Sequence, residues 1–468
     1  MLPLLCVGLS FVPGVASPRF DFDDALHAAL ARAGDVDGDK VCDFLAMDRV
    51  SGGPLVIVSG KTGERIRVLE AATPEWIFGR SLACAGDVNA DGVADQLVGG
   101  FGAVRIYSGR DGAVLRELRP AQPNLGFGFH VAGEGELDGD GVPDFLVVTD
   151  ETRFMYEEGL RRSWGDTPDL QVPGRVDLYS GRTLEPIAYA LPLEKEPPLR
   201  VDSVVPPCGE LEWDQPSPLP LTPFALPAYT VVLGRAAAFL PDRNGDGRSE
   251  IAVVCHAPGK TAVLGDPNSG PRGGGMLGTA ESGVYVDVRS GADGARLTAF
   301  GTTYHPANHE GWLVGSAGDV DGDGTADPYL AVLNQDLCVF SGKTNAPLLR
   351  AQACGGYLQG EYTSVAALGD LYGDGRAEIA WAANEVGFDT DGGRWMVLDS
   401  KGNELKHEGL GGMVSGFEIC AGGDLDGDRV PDLVVLQHTQ RTVRAISGSG
   451  FTELWRFSFD AAVRASAR

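Results

Sequence analysis

One acidic motif recurs seven times along this chain of 468 residues, and this repeat limits the possible folds more than any other feature. The copies include GDVDGDKVCDFLA, GDVDGDGTADPYL and GDLDGDRVPDLVV. Each copy is followed by a run of strand-forming residues, a Ser-Gly turn and a second such run, as in LVIVSGKTGERIRVL from Leu55. Together with the runs on either side of the acidic motif, this pattern predicts four antiparallel strands in each unit.

Seven four-stranded units with a period of about 45–50 residues are typical of a β-propeller. We therefore predict an all-β fold, a single seven-bladed β-propeller over residues 18–468. The first and last units each hold four strand-like runs, so the ring is expected to close without exchange of a strand between the chain ends. One closed ring is one domain, which excludes the two or three domains that the length alone would allow.

The spacing between motifs predicts three long insertions, at residues 150–174, 192–229 and 256–282. The middle insertion is rich in proline and is expected to lack regular structure. In an up-and-down blade, the loop between strands one and two lies at the same end as the hairpin between strands three and four. The insertions follow strand two or strand four, so we expect them at the opposite end of the blades from the acidic motifs.

The fifth acidic motif carries the most complete set of metal ligands. In DVDGDGTAD, Asp319, Asp321, Asp323 and Asp327 stand at positions 1, 3, 5 and 9, and Gly324 stands at position 6. Calcium takes six to eight oxygen ligands, and an EF-hand loop supplies them from positions 1, 3, 5, 7 and 9 with a glycine at position 6. The glutamate of EF-hand position 12 is absent, so a dissociation constant of roughly 10⁻⁴–10⁻³ M is expected.

The other six motifs, numbered with the fifth as acidic loops 1 to 7, start at residues 35, 87, 136, 242, 370 and 424. Their candidate ligands are Asp35, Asp37, Asp39 and Asp43; Asp87, Asn89, Asp91 and Asp95; Glu136, Asp138, Asp140 and Asp144; Asp242, Asn244, Asp246 and Glu250; Asp370, Asp374 and Glu378; and Asp424, Asp426, Asp428 and Asp432. Lys40 and Arg429 replace the position-6 glycine in loops 1 and 7, and Tyr372 replaces the third ligand in loop 6. Six calcium sites are expected, or seven if loop 6 also binds.

The alternative interpretation is a set of acidic β-turns that need no metal, because Asp and Gly are ordinary turn residues. Seven copies in register favour calcium, since like charges in one short turn repel each other unless a cation compensates them. The loops contain 25 of the 65 acidic residues, which is nearly the whole net charge of −27. This acidity also argues against nucleic-acid binding, which needs clustered Lys and Arg.

The repeated pattern GDxDGDGxxDLxV is preceded in some units by a Phe-Gly pair, such as Phe78-Gly79 and Phe127-Gly128. This combination resembles the FG-GAP repeat of the integrin α-subunit propeller. The resemblance covers nearly the whole mature chain. It implies a propeller that binds calcium in these loops on its lower face and meets partners on the opposite face. The leg domains and the membrane span of integrins have no counterpart in this sequence. Similar propellers occur in adhesion proteins, in lectin-like proteins and in some hydrolases and lyases, so the resemblance leaves the function open.

Candidate ligand-binding residues cluster in the insertions and in the link between blades 4 and 5. They are Arg161, Arg162, Trp164, Trp213, His256, Tyr304 and His305. Aromatic and Arg side chains anchor protein interfaces, and aromatic faces stack on sugars, although the two tryptophans could equally pin their own loops. The first hypothesis is a non-enzymatic binding or adhesion module for a protein or glycan ligand.

Two other functions stay open. The second hypothesis is a secreted carbohydrate-active enzyme, a polysaccharide lyase or hydrolase, in which Tyr304 and His305 would transfer protons. The non-catalytic alternative is that these two residues lie in a surface loop and form local hydrogen bonds. The third hypothesis is a structural surface protein without a discrete ligand.

The first 17 residues resemble a secretory signal peptide, because Leu2 to Ala16 are apolar and uncharged and small residues follow. A mis-assigned start codon and an ordinary buried strand are the alternatives. No later segment reaches the roughly 18 apolar residues of a membrane helix. The sequence therefore predicts a secreted or cell-surface protein without an integral membrane segment in its mature chain.

Overall fold

The seven repeat units fold into seven antiparallel blades of four consecutive strands each, and one of these sheets gains a fifth, parallel strand from an insertion. The computed structural model describes residues 29–48, 54–69, 78–100, 102–120, 126–149, 174–191, 199–201, 203–205, 224–226, 232–257, 282–304, 312–332, 336–352, 363–383, 393–409 and 416–460. Within these ranges, the predicted seven-bladed β-propeller is confirmed.

Each blade is built from strands that follow one another in the chain. Blade 1 contains β1 Leu30–Gly34, β2 Asp43–Met47, β3 Leu55–Val58 and β4 Arg65–Leu69. Blade 2 contains β5 Ser81–Gly86, β6 Asp95–Gly100, β7 Ala103–Tyr107 and β8 Val114–Leu118. Blade 3 contains β9 Phe127–Gly135, β10 Asp144–Thr149, β11 Arg175–Tyr179 and β12 Pro186–Leu191. Three short strands follow: β13 Leu199–Val201, β14 Ser203–Val205 and β15 Phe224–Leu226.

The remaining four blades repeat the same order. Blade 4 contains β16 Val232–Leu240, β17 Glu250–Ala257, β18 Ser282–Arg289 and β19 Arg296–Tyr304. Blade 5 contains β20 Trp312–Ser316, β21 Pro328–Val332, β22 Asp336–Phe340 and β23 Pro347–Gln352. Blade 6 contains β24 Thr363–Gly369, β25 Glu378–Ala383, β26 Arg394–Leu398 and β27 Glu404–Gly409. Blade 7 contains β28 Phe417–Gly423, β29 Asp432–Gln437, β30 Thr442–Ile446 and β31 Glu453–Ser458.

The core of the protein lies between the blades rather than inside any one of them. The first strand of each blade contacts the first strand of the next around the ring. Each neighbouring pair of blades also shares one buried apolar cluster. The middle strands are covered on both faces and are continuous apolar runs such as LVIV in β3. Outer strands are more exposed, and β8 buries only Leu118 fully.

The ring closes where blade 7 meets blade 1. In the shared apolar cluster, Phe44 of blade 1 packs with Val434 and Phe457 of blade 7. The Glu418 carboxylate accepts the backbone N–H groups of Ala29 and Leu30 at 2.5 and 3.1 Å. Because the sheets of blades 1 and 7 each contain only their own four consecutive strands, closure occurs without strand exchange, as predicted.

The expectation that the insertion 192–229 lacks regular structure is wrong for three short segments. β13 pairs with β15, and β14 pairs in parallel with β19, the outer strand of blade 4, so that Ser203 lies opposite Phe300. The prolines lie outside these strands, where they cannot interrupt a hydrogen-bonded ladder. The valine-rich segment Ser203–Val205 suits a strand, and β19 offers it an open edge.

The acidic loops and the Ser-Gly turns lie at one end of the blades. In blade 1, the Gly60 N–H donates to Asp43 Oδ1 at 3.0 Å, which joins the two loops directly. β10 and β17 begin at acidic loops and so end at the other end of the ring, where they lead into the predicted insertions. Most of 150–174, 192–229 and 256–282, and all of residues 1–17, lie outside the described residues. None of the described residues belongs to a helix long and apolar enough to cross a membrane.

Candidate metal centre

The first-position carboxylate closes each acidic loop on itself. In loop 5, Asp319 Oδ1 accepts the N–H groups of Gly322 and Asp323 at 2.8 and 3.0 Å, and its Oδ2 accepts that of Gly324 at 2.8 Å. The bond from the position-6 N–H to the first residue recurs in all seven loops at 2.8–3.1 Å. The backbone thus sets one common loop conformation, with the carboxylate chemistry of an Asx turn.

Position 6 requires a left-handed backbone in these loops. Gly324 has a φ of 86°, and a Cβ there would meet no atom within 4 Å. Lys40 and Arg429, which replace this glycine, adopt φ values of 73° each. The turn is therefore kept in loops 1 and 7 at a cost of roughly 1–2 kcal/mol per residue.

The ninth-position carboxylate is buried and ties the acidic loop to the rest of its blade. Asp327 is fully buried. Its Oδ2 accepts the Val320 N–H at 2.8 Å, and its Oδ1 accepts the N–H of Gly342 in the Ser-Gly turn at 2.7 Å. The bond from the position-2 N–H recurs in all seven loops at 2.7–3.0 Å. The sequence analysis predicted only a metal-ligand role for the ninth position. Its second role, as the hydrogen-bond acceptor for the Ser-Gly turn, could have been expected because that turn recurs in most units.

Burial and hydrogen bonding shift the pKa values of the loop carboxylates in opposite directions. Burial raises the pKa of Asp43, Asp95 and Asp327 to about 6, against the opposing effect of their backbone N–H donors. At the exposed first position, backbone N–H donors lower the pKa of Asp242 and Asp370. A cation close to the buried carboxylates would favour their charged form and lower their pKa.

Four loops bring three carboxylates together with ligand oxygens within 4.8 Å of one another. These groups are Asp35, Asp37 and Asp39; Glu136, Asp138 and Asp144; Asp319, Asp321 and Asp327; and Asp424, Asp426 and Asp432. Hard oxygen donors of this kind suit calcium or magnesium and disfavour soft transition metals. The residues present in these four loops therefore fit a hard divalent cation.

Loops 2, 4 and 6 depart from the four-carboxylate pattern. Asn89 Nδ2 donates to Asp95 Oδ1 at 3.4 Å, and Asn244 Nδ2 donates to Asp246 Oδ2 at 2.9 Å. Tyr372, which replaces the third ligand in loop 6, is 59% exposed. Loop 6 nevertheless keeps the shared backbone bonds, so its conformation does not depend on a third acidic ligand.

Basic side chains from the Ser-Gly turns contact the fifth-position carboxylates of three loops, a feature that sequence reasoning missed. Arg110 Nε lies 3.2 Å from an Asp91 oxygen, and Arg182 Nε lies 2.5 Å from an Asp140 oxygen. In blade 1, Lys61 Nζ lies 3.9 Å from Asp39. The signal was present in the sequence, because each basic residue stands two positions after the serine of its turn.

The structure describes only part of the predicted ligand face. Arg161, Arg162, Trp164, Trp213 and His305 lie outside the described residues. His256 lies on β17 opposite Val284, and Tyr304 ends β19 opposite Ser282. The backbones of His256 and Tyr304 therefore share the end of blade 4 that is remote from its acidic loop.

No family model matches the sequence, and no curated protein matches it. Similar solved structures include the β-propeller domain of Cps50 (Swd1) from Myceliophteria thermophila, with a TM-score of 0.46 and 11% identity over 93% of this chain and 97% of that chain. BBS1N in complex with ARL6DN, from a crystal soaked with lead, has a TM-score of 0.44 and 12% identity over 86% and 85% of the two chains. Rhamnogalacturonan lyase YesW has a TM-score of 0.36 and 16% identity over 92% and 68%. At these values the function must be inferred from the residues of this chain.

Proposed function

We propose that this protein is a calcium-stabilised, extracellular β-propeller that acts as a non-enzymatic binding or adhesion module. Its ligand, a protein or a glycan, would bind at the blade ends opposite the acidic loops. One observation carries this proposal: all seven acidic loops lie at the same end of the blades. Each loop is held there by a hydrogen bond to its ninth-position carboxylate. A metal at that end would serve the scaffold, which leaves the other end for recognition.

The calcium part of the proposal follows from the donor chemistry. Asp319, Asp321 and Asp327 would hold the ion in loop 5, and loops 1, 3 and 7 offer equivalent groups. Bound calcium would neutralise carboxylates that otherwise repel each other. Because Asp327 also accepts the Gly342 N–H, a cation beside it would strengthen the link between the acidic loop and the Ser-Gly turn.

The recognition part of the proposal follows from where the chain varies in length. The acidic loops keep one nine-residue pattern, whereas the three predicted insertions all follow strands that end at the other face. Variable loops on a rigid scaffold are where binding residues concentrate. The predicted insertions carry Arg161, Arg162, Trp164 and Trp213, residue types that dominate binding energy at interfaces.

Thermal unfolding of the full chain tests the calcium part. Each occupied site should add about 1.4 kcal/mol at a free calcium concentration ten times its dissociation constant, because the ion binds only the folded state. The melting temperature should therefore rise steadily with added calcium, and an Asp319→Asn, Asp321→Asn variant should show a smaller rise. If chelation leaves the melting temperature of the wild-type protein unchanged, calcium has no structural role.

Ligand capture by the full chain tests the recognition part. Glycan arrays and a panel of extracellular proteins would be probed in calcium with the wild type, with Trp164→Ala and Trp213→Ala, and with Tyr372→Ala on the acidic face. Binding should be lost in one or both tryptophan variants and kept in the Tyr372 variant. Binding that depends on Tyr372 and not on the tryptophans would contradict the proposed face.

A secreted carbohydrate-active enzyme is the second candidate function, and the register of blade 4 favours it. His256 and Tyr304 lie on the strands that flank β18, with partners only two residues apart, and His305 follows directly. If these groups transfer protons, incubation with polysaccharides should release shorter products, and Tyr304→Phe and His305→Ala should abolish that release. Glycan binding without product, unchanged by His305→Ala, would contradict the enzyme.

A further inference from the structure

In two acidic loops, an arginine of the protein itself pairs with the fifth-position carboxylate. Arg182 Nε lies 2.5 Å from Asp140 Oδ2, and its Nη2 donates to the Asp140 carbonyl at 2.8 Å. Arg110 contacts Asp91 in the same way, through the carboxylate at 3.2 Å and through the main-chain carbonyl. Both arginines stand two positions after the serine of their Ser-Gly turns, so one structural position delivers the guanidinium in both blades.

The fifth-position carboxylate that these arginines hold is one of the calcium ligands that the sequence predicts for loops 2 and 3. A guanidinium and a calcium ion both bind carboxylate oxygens and repel each other, so the two compete at one carboxylate. The Arg110 and Arg182 side chains are 57% and 56% exposed. They can therefore leave the loop for solvent without opening the core.

Loops 3 and 5 differ sharply in their compensating charge, although each has four carboxylates. In loop 3, Arg182 holds Asp140, and Arg248 Nη1 from blade 4 lies 3.5 Å from Glu136 Oε1. In loop 5, Lys343 occupies the position of Arg182, but within the described part of the chain it forms no ion pair with Asp323.

Two arginines from neighbouring blades lie beside loop 5 but contact groups other than Asp323. Arg243 of loop 4 interacts electrostatically with the buried Asp327 and donates to the Gly342 carbonyl at 2.9 Å. In the blade after loop 5, the counterpart of Arg248 contacts a carbonyl. Arg376 occupies that position, and its Nη1 donates to the Val320 carbonyl at 3.4 Å instead of pairing with a loop carboxylate. Among the described residues, Asp323 of loop 5 therefore has no basic partner that an added cation must displace.

We propose that Arg110 and Arg182 are tethered cations that compete with calcium for Asp91 and Asp140. Loops 2 and 3 consequently bind calcium more weakly than loop 5, and the ring fills unevenly as calcium rises. In the metal-free protein, the two arginines compensate Asp91 and Asp140, whereas the described residues give Asp323 of loop 5 no such partner. This inference rests on the proposed calcium-binding function and adds a graded response to it.

Hydrogen–deuterium exchange of the full chain during a calcium titration resolves the loops separately. Peptides covering 136–144 and 319–327 report the midpoints of loops 3 and 5. In the wild type, the midpoint of loop 5 should lie at the lower calcium concentration. Arg182→Gln should lower the midpoint of loop 3 by about two- to fivefold, the range expected for an exposed ion pair, and leave loop 5 unchanged. Lys343→Gln is the matched control, and it should shift neither loop.

Each result separates this inference from the proposed function. If loops 3 and 5 respond to calcium in the wild type but Arg182→Gln leaves loop 3 unchanged, the tethered cations are refuted and calcium binding stands. If no loop responds, both are refuted. Arg110→Gln repeats the test in loop 2, so a folding defect in one variant, detected by its melting temperature in chelator, does not decide the outcome.

Discussion

The seam between blades 7 and 1 should be disrupted by one added methyl group at Gly63. This glycine lies in the hairpin between β3 and β4 with a φ of 71°. A Cβ at this position would lie 2.7 Å from Cε3 and 2.8 Å from Cδ2 of Trp455. The Trp455 ring cannot simply move away, because its Nε1 donates to the Gly60 carbonyl at 2.6 Å. We therefore predict that Gly63→Ala destabilises the closed ring.

Two effects should lower the free energy of unfolding of the Gly63→Ala variant, and a third should partly offset them. A left-handed backbone at alanine costs roughly 1–2 kcal/mol, and overpacking against the indole ring costs about 1–3 kcal/mol. Alanine also lowers the conformational entropy of the unfolded chain, which stabilises the folded state by about 0.4–1 kcal/mol. The free energy of unfolding should therefore fall by about 2–4 kcal/mol.

A double-mutant cycle measured by urea unfolding in chelator isolates the contact across the seam. In a Trp455→Ala background the steric part disappears, so Gly63→Ala should cost only the backbone part, and the coupling energy should be about 1–3 kcal/mol. Gly402→Ala is the matched control, because this hairpin glycine has a φ of 82° but its added Cβ would lie 3.3 Å from Leu349 Cδ1. An equal cost of Gly63→Ala with and without the Trp455 ring would refute the reasoning.

Three further substitutions test the loops and the blade interface. Lys40→Gly and Arg429→Gly should each stabilise the protein by about 1 kcal/mol in chelator, because glycine removes the strain of φ 73°; urea unfolding measures this, and unchanged stability would contradict it. Burial lowers the pKa of His130, whose Nε2 lies 3.0 Å from the Ala237 carbonyl, to about 4. The unfolded state therefore binds more protons between pH 6.5 and 4, so the wild type should lose about 3 kcal/mol relative to His130→Gln as pH falls through that range. Parallel pH profiles of the two proteins would contradict this.

The number of blades could be predicted from the sequence because the relevant signals are local and repeated. A strand run, an acidic loop and a Ser-Gly hairpin recur in order, and each pattern depends on residues close together in the chain. The same holds for the first-position carboxylates, whose N–H donors, such as Gly322 and Gly324 for Asp319, lie within five residues.

The wrong expectation for 192–229 shows where local patterns fail. Proline content describes the whole insertion, whereas β14 forms because its three residues meet the open edge of β19, about a hundred positions away. The ion pairs of Arg110 and Arg182 were missed for a related reason. A basic residue after a Ser-Gly turn is unremarkable until the hairpin is placed beside the acidic loop of its own blade.

By itself, the sequence determined the all-β class, the seven units, the positions of the acidic loops and the concentration of negative charge within them. The tertiary structure decided how the ring closes, which carboxylates are buried and which loops contain a cation of their own. The physical reason is distance along the chain. Gly60 and Trp455, or Glu418 and Ala29, come together only when the seventh blade packs against the first. No local pattern encodes such a contact, because its energy depends on the geometry of every blade between them.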